Sequence, residues 1–215
     1  MSIHHLSPAP LSPTSYPNVH PLTIPSPSAS LPYASNLFAS IHALYVPALL
    51  PSSSLPAVLK DCNRCLATFG TLHLTILDPS PISGTLGPKL REWLDTHLLI
   101  NLERQFRCMT PSRLFPIWLA DAGLRAQGST ISIERFLASV SSHAQSVNSS
   151  QGSIEEDEEM TQQLKSQTGR MLWKEMWGGF VEGEKWWWED ELVLRECEAL
   201  GTGWEYAVIT AVKEG

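Results

Sequence analysis

Between Leu31 and Pro79 the patterning switches from strand-like to helix-like and back, which commits this part of the chain to an α/β sheet. Leu31-Pro32-Tyr33-Ala34-Ser35-Asn36-Leu37-Phe38 leads into the apolar Ile41-His42-Ala43-Leu44-Tyr45-Val46, so a strand is expected near Ser40–Tyr45. From Ser53 to Leu66 the residues Leu55, Val58, Leu59, Cys62, Cys65 and Leu66 recur at helical spacing. Ser52, Ser53 and Ser54 offer an N-cap, and Pro56 falls in the first turn, where its missing N–H has no partner to lose. After a break at Phe69-Gly70, Thr71–Leu77 reads as a second strand that Asp78-Pro79 ends, because proline cannot donate to a ladder. Strand, helix, strand is the βαβ grammar of a parallel sheet.

The flanks are unlike this centre. Residues 1–30 hold Pro8, Pro10, Pro13, Pro17, Pro21, Pro25 and Pro27 among serines and threonines, and are expected to form a disordered arm ahead of a domain at 31–215. Downstream, Gly87–Phe106 follows a period near 3.6 through Leu90, Trp93, Leu94, His97, Leu98, Asn101 and Leu102. Thr110-Pro111 opens a further helix that runs to Ala122-Gly123, and Thr130–Phe136 alternates as a strand. Residues 139–160, serine-rich and then acidic at Glu155–Glu159, are expected to be a solvated loop. Met160–Gly178 is amphipathic, with Leu164, Met171, Leu172 and Met176 as its expected buried stripe. A helix from Trp186 to Leu200 and a last strand over Trp204–Val212 complete the chain.

Charge and cysteine usage exclude several classes. The net charge of −7 is concentrated in residues 151–215, where six bases face fifteen acids. That distribution gives no counterion-release drive toward phosphate backbones, so nucleic acid is not an expected ligand. Ile41–Leu59 is apolar but broken by Pro47, Pro51 and Pro56, which argues against a membrane span. Cys62 and Cys65 share a helix face without a second pair, which reads as core packing rather than a metal or redox site. With Cys108 and Cys197 they point to free thiols in a reducing compartment, cytoplasmic or nuclear. His42, His73 and His97 are scattered on apolar elements and read as core histidines, and no nucleophile elbow surrounds any serine.

Leu31–Ala39 resembles the segment L-P-F-x-x-x-x-F-D, and Arg64–Leu72 resembles R-x-L-x-P-G-G-x-L, of class I S-adenosylmethionine-dependent methyltransferases of the type 11 kind. Gly123-Leu124 is similar to the A-G-F that closes a later helix of that family. The resemblance implies a partial Rossmann-like sheet, with a C-terminal helical insertion before the last strand. It implies S-adenosylmethionine as cofactor, with Leu31, Pro32 and Tyr33 near the adenine, Tyr45 beside the cofactor at its strand end, and Asp78 at the substrate. Each also has a plain structural reading: a strand entry for Leu31–Tyr33, a core aromatic for Tyr45, a turn-former for Asp78. The family pattern is only half present. Pro27 and Ser28 stand where Asp-Ala is usual, Ala39 where Asp is usual, and Thr68-Phe69-Gly70 where P-G-G is usual. No glycine precedes Gly70 and no carboxylate precedes Asp61, so the glycine-rich turn and the ribose-binding acid have no counterpart.

Two expectations follow. One is a truncated methyltransferase-like protein, weakly active or inactive, with an unidentified acceptor. The other is a non-catalytic interaction module, or a gene fragment, derived from such an enzyme. In either case the strand at Ser40–Tyr45 is expected to lack its outer neighbour, leaving an edge for a protein partner or for self-association. Trp173, Trp177, Trp186, Trp187, Trp188 and Trp204 crowd the acidic third. They suit either an aromatic recognition surface or a core between the late helices and the sheet. Three adjacent tryptophans cannot all face inward from one helix, so at least one is expected partly exposed.

Overall fold

The computed structural model describes residues 2–24, 28, 30–140 and 152–215. Its main sheet has four strands in the order β3-β4-β6-β5: Phe38–Ala43, Leu66–Leu77, Gly203–Val212 and Thr130–Leu137. β3 and β4 are parallel, whereas β6 runs antiparallel to both β4 and β5. The parallel β3–β4 pair and the antiparallel β5–β6 pair are those the resemblance implies. The helices are α1 (Val46–Leu49), α2 (Leu55–Cys65), α3 (Pro88–Leu94), α4 (Ile100–Arg104), α5 (Pro111–Asp121), α6 (Gly152–Trp177) and α7 (Glu191–Leu200). A π turn over Asp95–Leu99 joins α3 to α4.

Register and pleat sort the sheet into two faces. Ile41, Ala43, Leu72, Leu74, Ile76, Ile209 and Ala211 share one face and pack under α2 and α5, which contribute Leu55, Val58, Leu59, Phe115 and Leu119. The other face carries Ser40, His42, Thr71, His73, Thr75 and Thr210 over much of its width. His42 and His73 stack across β3 and β4 at 4.5 Å between centroids, and Thr71 and Thr210 engage the two ring nitrogens of His73 at 3.1 and 3.2 Å. Burial, with His42 beside it, holds His73 below the usual imidazole range. The carboxyl end of β4 on this face is apolar. There Leu77, Trp204 and Phe136 join Trp173, Trp177, Trp187, Leu90, Leu94, Leu98, Val193 and Cys197 in a second core.

Several expectations change. The proline-rich arm holds two short strands, β1 (Ile3–Ser7) and β2 (Val19–Thr23), paired in parallel. Ile24 N donates to Ser7 O at 3.2 Å, so even-numbered amides of β2 face β1 and Pro21 falls in the outward phase, where no donor is needed. His4 of β1 lies edge-on to Phe38 and Tyr33, at 5.4 and 5.5 Å between centroids. The acidic loop expected at 139–160 is helical from Gly152, because α6 takes in Glu155–Glu159, while 141–151 lie outside the described residues. Leu164 and Met171 of the expected stripe are exposed, and the inward face is Ser166, Gly169, Trp173, Met176 and Trp177. The small residues let the helix approach β5, where Ser166 Oγ donates to Leu137 O at 2.8 Å and Arg170 Nε to Ala138 O at 2.8 Å. The expected helix at Trp186 is one 3-10 turn, Trp187–Glu189, followed by α7, which is capped by Asp190. Of the three tryptophans only Trp187 is fully buried, and Trp186 and Trp188 stack on each other at 5.0 Å.

Candidate functional site

The five residues implied as a site fall into two groups at opposite ends of the sheet. Tyr33 packs edge-on against Phe38, the first residue of β3, at 4.9 Å between centroids. Arg64, just before β4, holds the segment through its carbonyls: Nη1 donates to Tyr33 O at 2.7 Å and Nη2 to Leu31 O at 3.1 Å. Arg64 is itself fixed by a bidentate pair with Asp61 at 2.7 and 3.0 Å, and Asp61 also accepts from Leu31 N. The Arg64 hydrogen bond, opposed by burial, leaves the Asp61 carboxyl below the usual carboxylate range. Leu31, Pro32 and Tyr33 are therefore tied to the amino ends of β3 and β4. Tyr33 Oη is buried without a partner among the described residues, and burial raises its pKa. Asp61 and Arg64, three residues apart on the polar side of α2, were legible as a pair, although nothing in the sequence says what they hold.

Tyr45 and Asp78 lie together at the other end, beyond the carboxyl termini of β3 and β4. Tyr45 is the N-cap residue of α1: its carbonyl accepts from Ala48 N at 3.0 Å and its ring packs against the second core. Asp78 accepts from Ser112 N at 2.8 Å and from Ser112 Oγ at 2.6 Å. It thus caps α5 from a distance, where the helix dipole favours a carboxylate, and Thr110 makes no side-chain cap. Burial raises the Asp78 pKa, against the opposing pull of Ser112 and Arg113.

In open α/β sheets ligands bind outside the carboxyl ends of the strands. Here that region is packed with tryptophan. Trp173 Nε1 donates to Pro79 O at 2.9 Å, and Trp204 Nε1 reaches the same carbonyl at 3.4 Å. Trp173 is fully buried and stands edge-on to Trp187 and Trp188 at 6.3 and 5.9 Å. Trp187 stacks on Trp204 at 5.1 Å. Beside them Arg107 lies 5.1 Å from the Phe180 centroid, with Nε and Nη1 shielded and unpartnered among the described residues. The sequence placed these tryptophans in a core or on a surface without choosing, and the Trp173–Trp177 spacing on α6 was the available signal for a core.

The cysteines are buried thiols: burial pushes Cys62 up to about 12 and Cys197 up to about 11, as suits packed rather than reactive groups. Among the described residues no cluster of three or more His, Cys, Asp or Glu is placed to hold a metal. No helix among them is long and apolar enough to cross a membrane.

No protein-family model matches the sequence, and no curated protein matches it. The solved structures similar to it include methyltransferases. One is a Bacillus halodurans protein assigned as a methyltransferase, at 10% identity and a TM-score of 0.48, covering 100% of this chain and 84% of that one. Another is a Galdieria sulphuraria protein assigned as a sarcosine dimethylglycine methyltransferase, at 13% identity and a TM-score of 0.49, covering 99% and 70%. A third is Haemonchus contortus phosphoethanolamine N-methyltransferase 2, in complex with phosphomonomethylethanolamine and S-adenosylhomocysteine. This chain matches it at 12% identity and a TM-score of 0.44 over 92% of its own length, and spans 38% of that enzyme.

Proposed function

We propose that this chain is a methyltransferase-like α/β protein that acts as a non-catalytic binding module rather than transferring a methyl group from S-adenosylmethionine. The observation that carries the reading is the double use of Pro79 O by Trp173 and Trp204, which fills the carboxyl end of β4 with indole. A cofactor seated there would have to displace packed rings and compete for a carbonyl that already accepts twice. Asp78 supports the same reading, because both its oxygens are engaged by Ser112. The residues implied at the adenine support it too, since Arg64 holds them at the far end of the sheet. Calorimetric titration of the folded chain with S-adenosylmethionine tests the proposal, and no saturable heat is expected.

The partner that such a module takes is proposed at β3. Its outer side pairs with no strand among the described residues, and it carries neither proline nor charge to discourage addition. Light scattering over a concentration series is expected to show mass rising above that of a single chain. A monomer at every concentration, unfolding in one cooperative step, would contradict this part of the reading.

A further inference from the structure

The sheet face opposite α2 and α5 carries two imidazoles side by side. His42 and His73 are register partners across the parallel strands β3 and β4, with ring centroids 4.5 Å apart and 14° between their planes. Both rings are also turned the same way. His42 Nε2 lies 3.1 Å from Ser40 Oγ and His73 Nε2 lies 3.1 Å from Thr71 Oγ1, and Ser40 and Thr71 are themselves register partners. The two Nε2 atoms therefore sit at the same end of the stacked pair, where His42 is exposed and His73 half-buried.

An imidazole that binds a metal usually gives its other ring N–H to an outer partner, which fixes its tautomer and orientation. Thr210 of β6 stands in that place for His73, with its Oγ1 3.2 Å from His73 Nδ1. When Nδ1–H is donated to Thr210, His73 Nε2 carries the lone pair and the Thr71 hydroxyl donates to it. His42 is the movable member. Parallel rings hold their lone pairs side by side rather than at one point, so a shared ion requires His42 to turn. Its ring is exposed and its hydrogen bond among the described residues is to Ser40 Oγ, the short side chain two positions back on the same strand. Two nitrogens are fewer than the four ligands of a closed structural zinc site, which leaves positions for water. Among the described residues no third His, Cys, Asp or Glu joins them.

A second register pair, His4 and His20 on β1 and β2, stacks at 5.0 Å. His4 is wedged edge-on against Tyr33 and Phe38, so that pair has less freedom to converge on an ion and serves as the internal comparison.

We propose that His42 and His73 form a metal site that takes Zn²⁺, or a similar borderline divalent ion, through both Nε2 atoms at about 2.0–2.1 Å from each. Water completes the coordination, and Thr210 is a positioning residue that orients His73. The site goes beyond the binding-module reading and does not depend on it.

The test is calorimetric titration of the folded chain, free of any histidine tag, with Zn²⁺ alone at about pH 7.5, where an unperturbed imidazole is mostly neutral. Saturable binding of one ion per chain is expected. His42→Gln and His73→Gln should each weaken it about tenfold or more, and Thr210→Val, which keeps both ligands, should weaken it severalfold. His4→Gln combined with His20→Gln should leave it nearly unchanged. Near-ultraviolet circular dichroism checks that each variant is folded, and the exposed position of His42 keeps the test open if His73→Gln is not. Heats that do not saturate, or an isotherm indifferent to loss of His42 or His73, overturn the proposal. Binding that disappears with His4 and His20 instead also overturns it, and an affinity unmoved by Thr210→Val overturns the role given to Thr210.

Discussion

Truncating Trp173 to alanine is expected to destabilise the protein by about 4 kcal/mol, within the range for emptying a large aromatic site. The side chain is fully buried, contacts Trp93, Trp187 and Trp188, and donates its indole N–H to Pro79 O. Its neighbours are also rigid rings, which collapse poorly into a void, so the cavity cost should be near the upper part of that range. Trp173→Phe keeps most of the volume but leaves Pro79 O with only the longer bond from Trp204, and should cost roughly 1–2 kcal/mol. A domain of this size holds only about 5–15 kcal/mol in total, so the alanine variant should be near its unfolding threshold. Midpoints in guanidinium, compared at constant slope, measure both. Equal midpoints for wild type and Trp173→Ala would show that the indole core is not what closes the sheet end.

The second large effect is expected at Gly169. A Cβ at that position would lie 2.1 Å from Phe136 Cγ and within 2.5 Å of both its δ carbons. Phe136 cannot swing aside, being buried and stacked on Trp204 at 5.7 Å with only 4° between the rings. Alanine would gain about 1 kcal/mol of helix propensity over glycine, but overpacking a fixed ring costs about 1–3 kcal/mol or more. Because the predicted overlap is far inside contact distance, repulsion should win and lift α6 from β5. Gly169→Ala is expected to lower the unfolding midpoint, and Phe136→Leu in the same chain should recover part of the loss through coupling between the two positions. Gly84, where an added Cβ meets nothing within 4 Å, is the control and should tolerate alanine. An unshifted Gly169→Ala midpoint would mean that α6 is not seated on Phe136.

Elements with one clean period could be read from the sequence. Thr71–Leu77 and Trp204–Val212 alternate because one sheet face is buried under α2 and α5 while the other is largely polar, so pattern and structure carry the same information. The helix at Leu55–Cys65 was equally plain, since its buried positions repeat on one side. The N-terminal strands were hidden by proline density. A proline in an edge strand costs no ladder bond when its N–H would point outward, and Pro21 does so. The start of α6 was hidden because acidic composition reports solvation, not backbone conformation, and its inward face uses serine and glycine where an apolar stripe was sought. The candidate site was the least legible. Motif order placed Leu31, Pro32, Tyr33, Tyr45 and Asp78 in one site, but only the chain path shows Leu31–Tyr33 at the amino end of β3 and Tyr45 and Asp78 at the carboxyl end.

The polar sheet face also bears on how the sheet is layered. Ser40, His42, Thr71, His73 and Thr210 occupy positions that a second helical layer would cover. Burying that row of hydroxyls and imidazoles under helices would demand partners for every group, whereas facing water it needs none. Over that row the face is at least partly open to water, while its carboxyl end is covered by the second core.

The central claim is that indole, and no cofactor, occupies the carboxyl end of the sheet. Isothermal titration of the folded chain with S-adenosylmethionine at millimolar ligand tests it most directly. The account predicts heats of dilution only, with no saturation corresponding to a Kd below about 100 μM, or ~5.5 kcal/mol of binding. A saturable isotherm tighter than that, with one cofactor bound per chain, would contradict it.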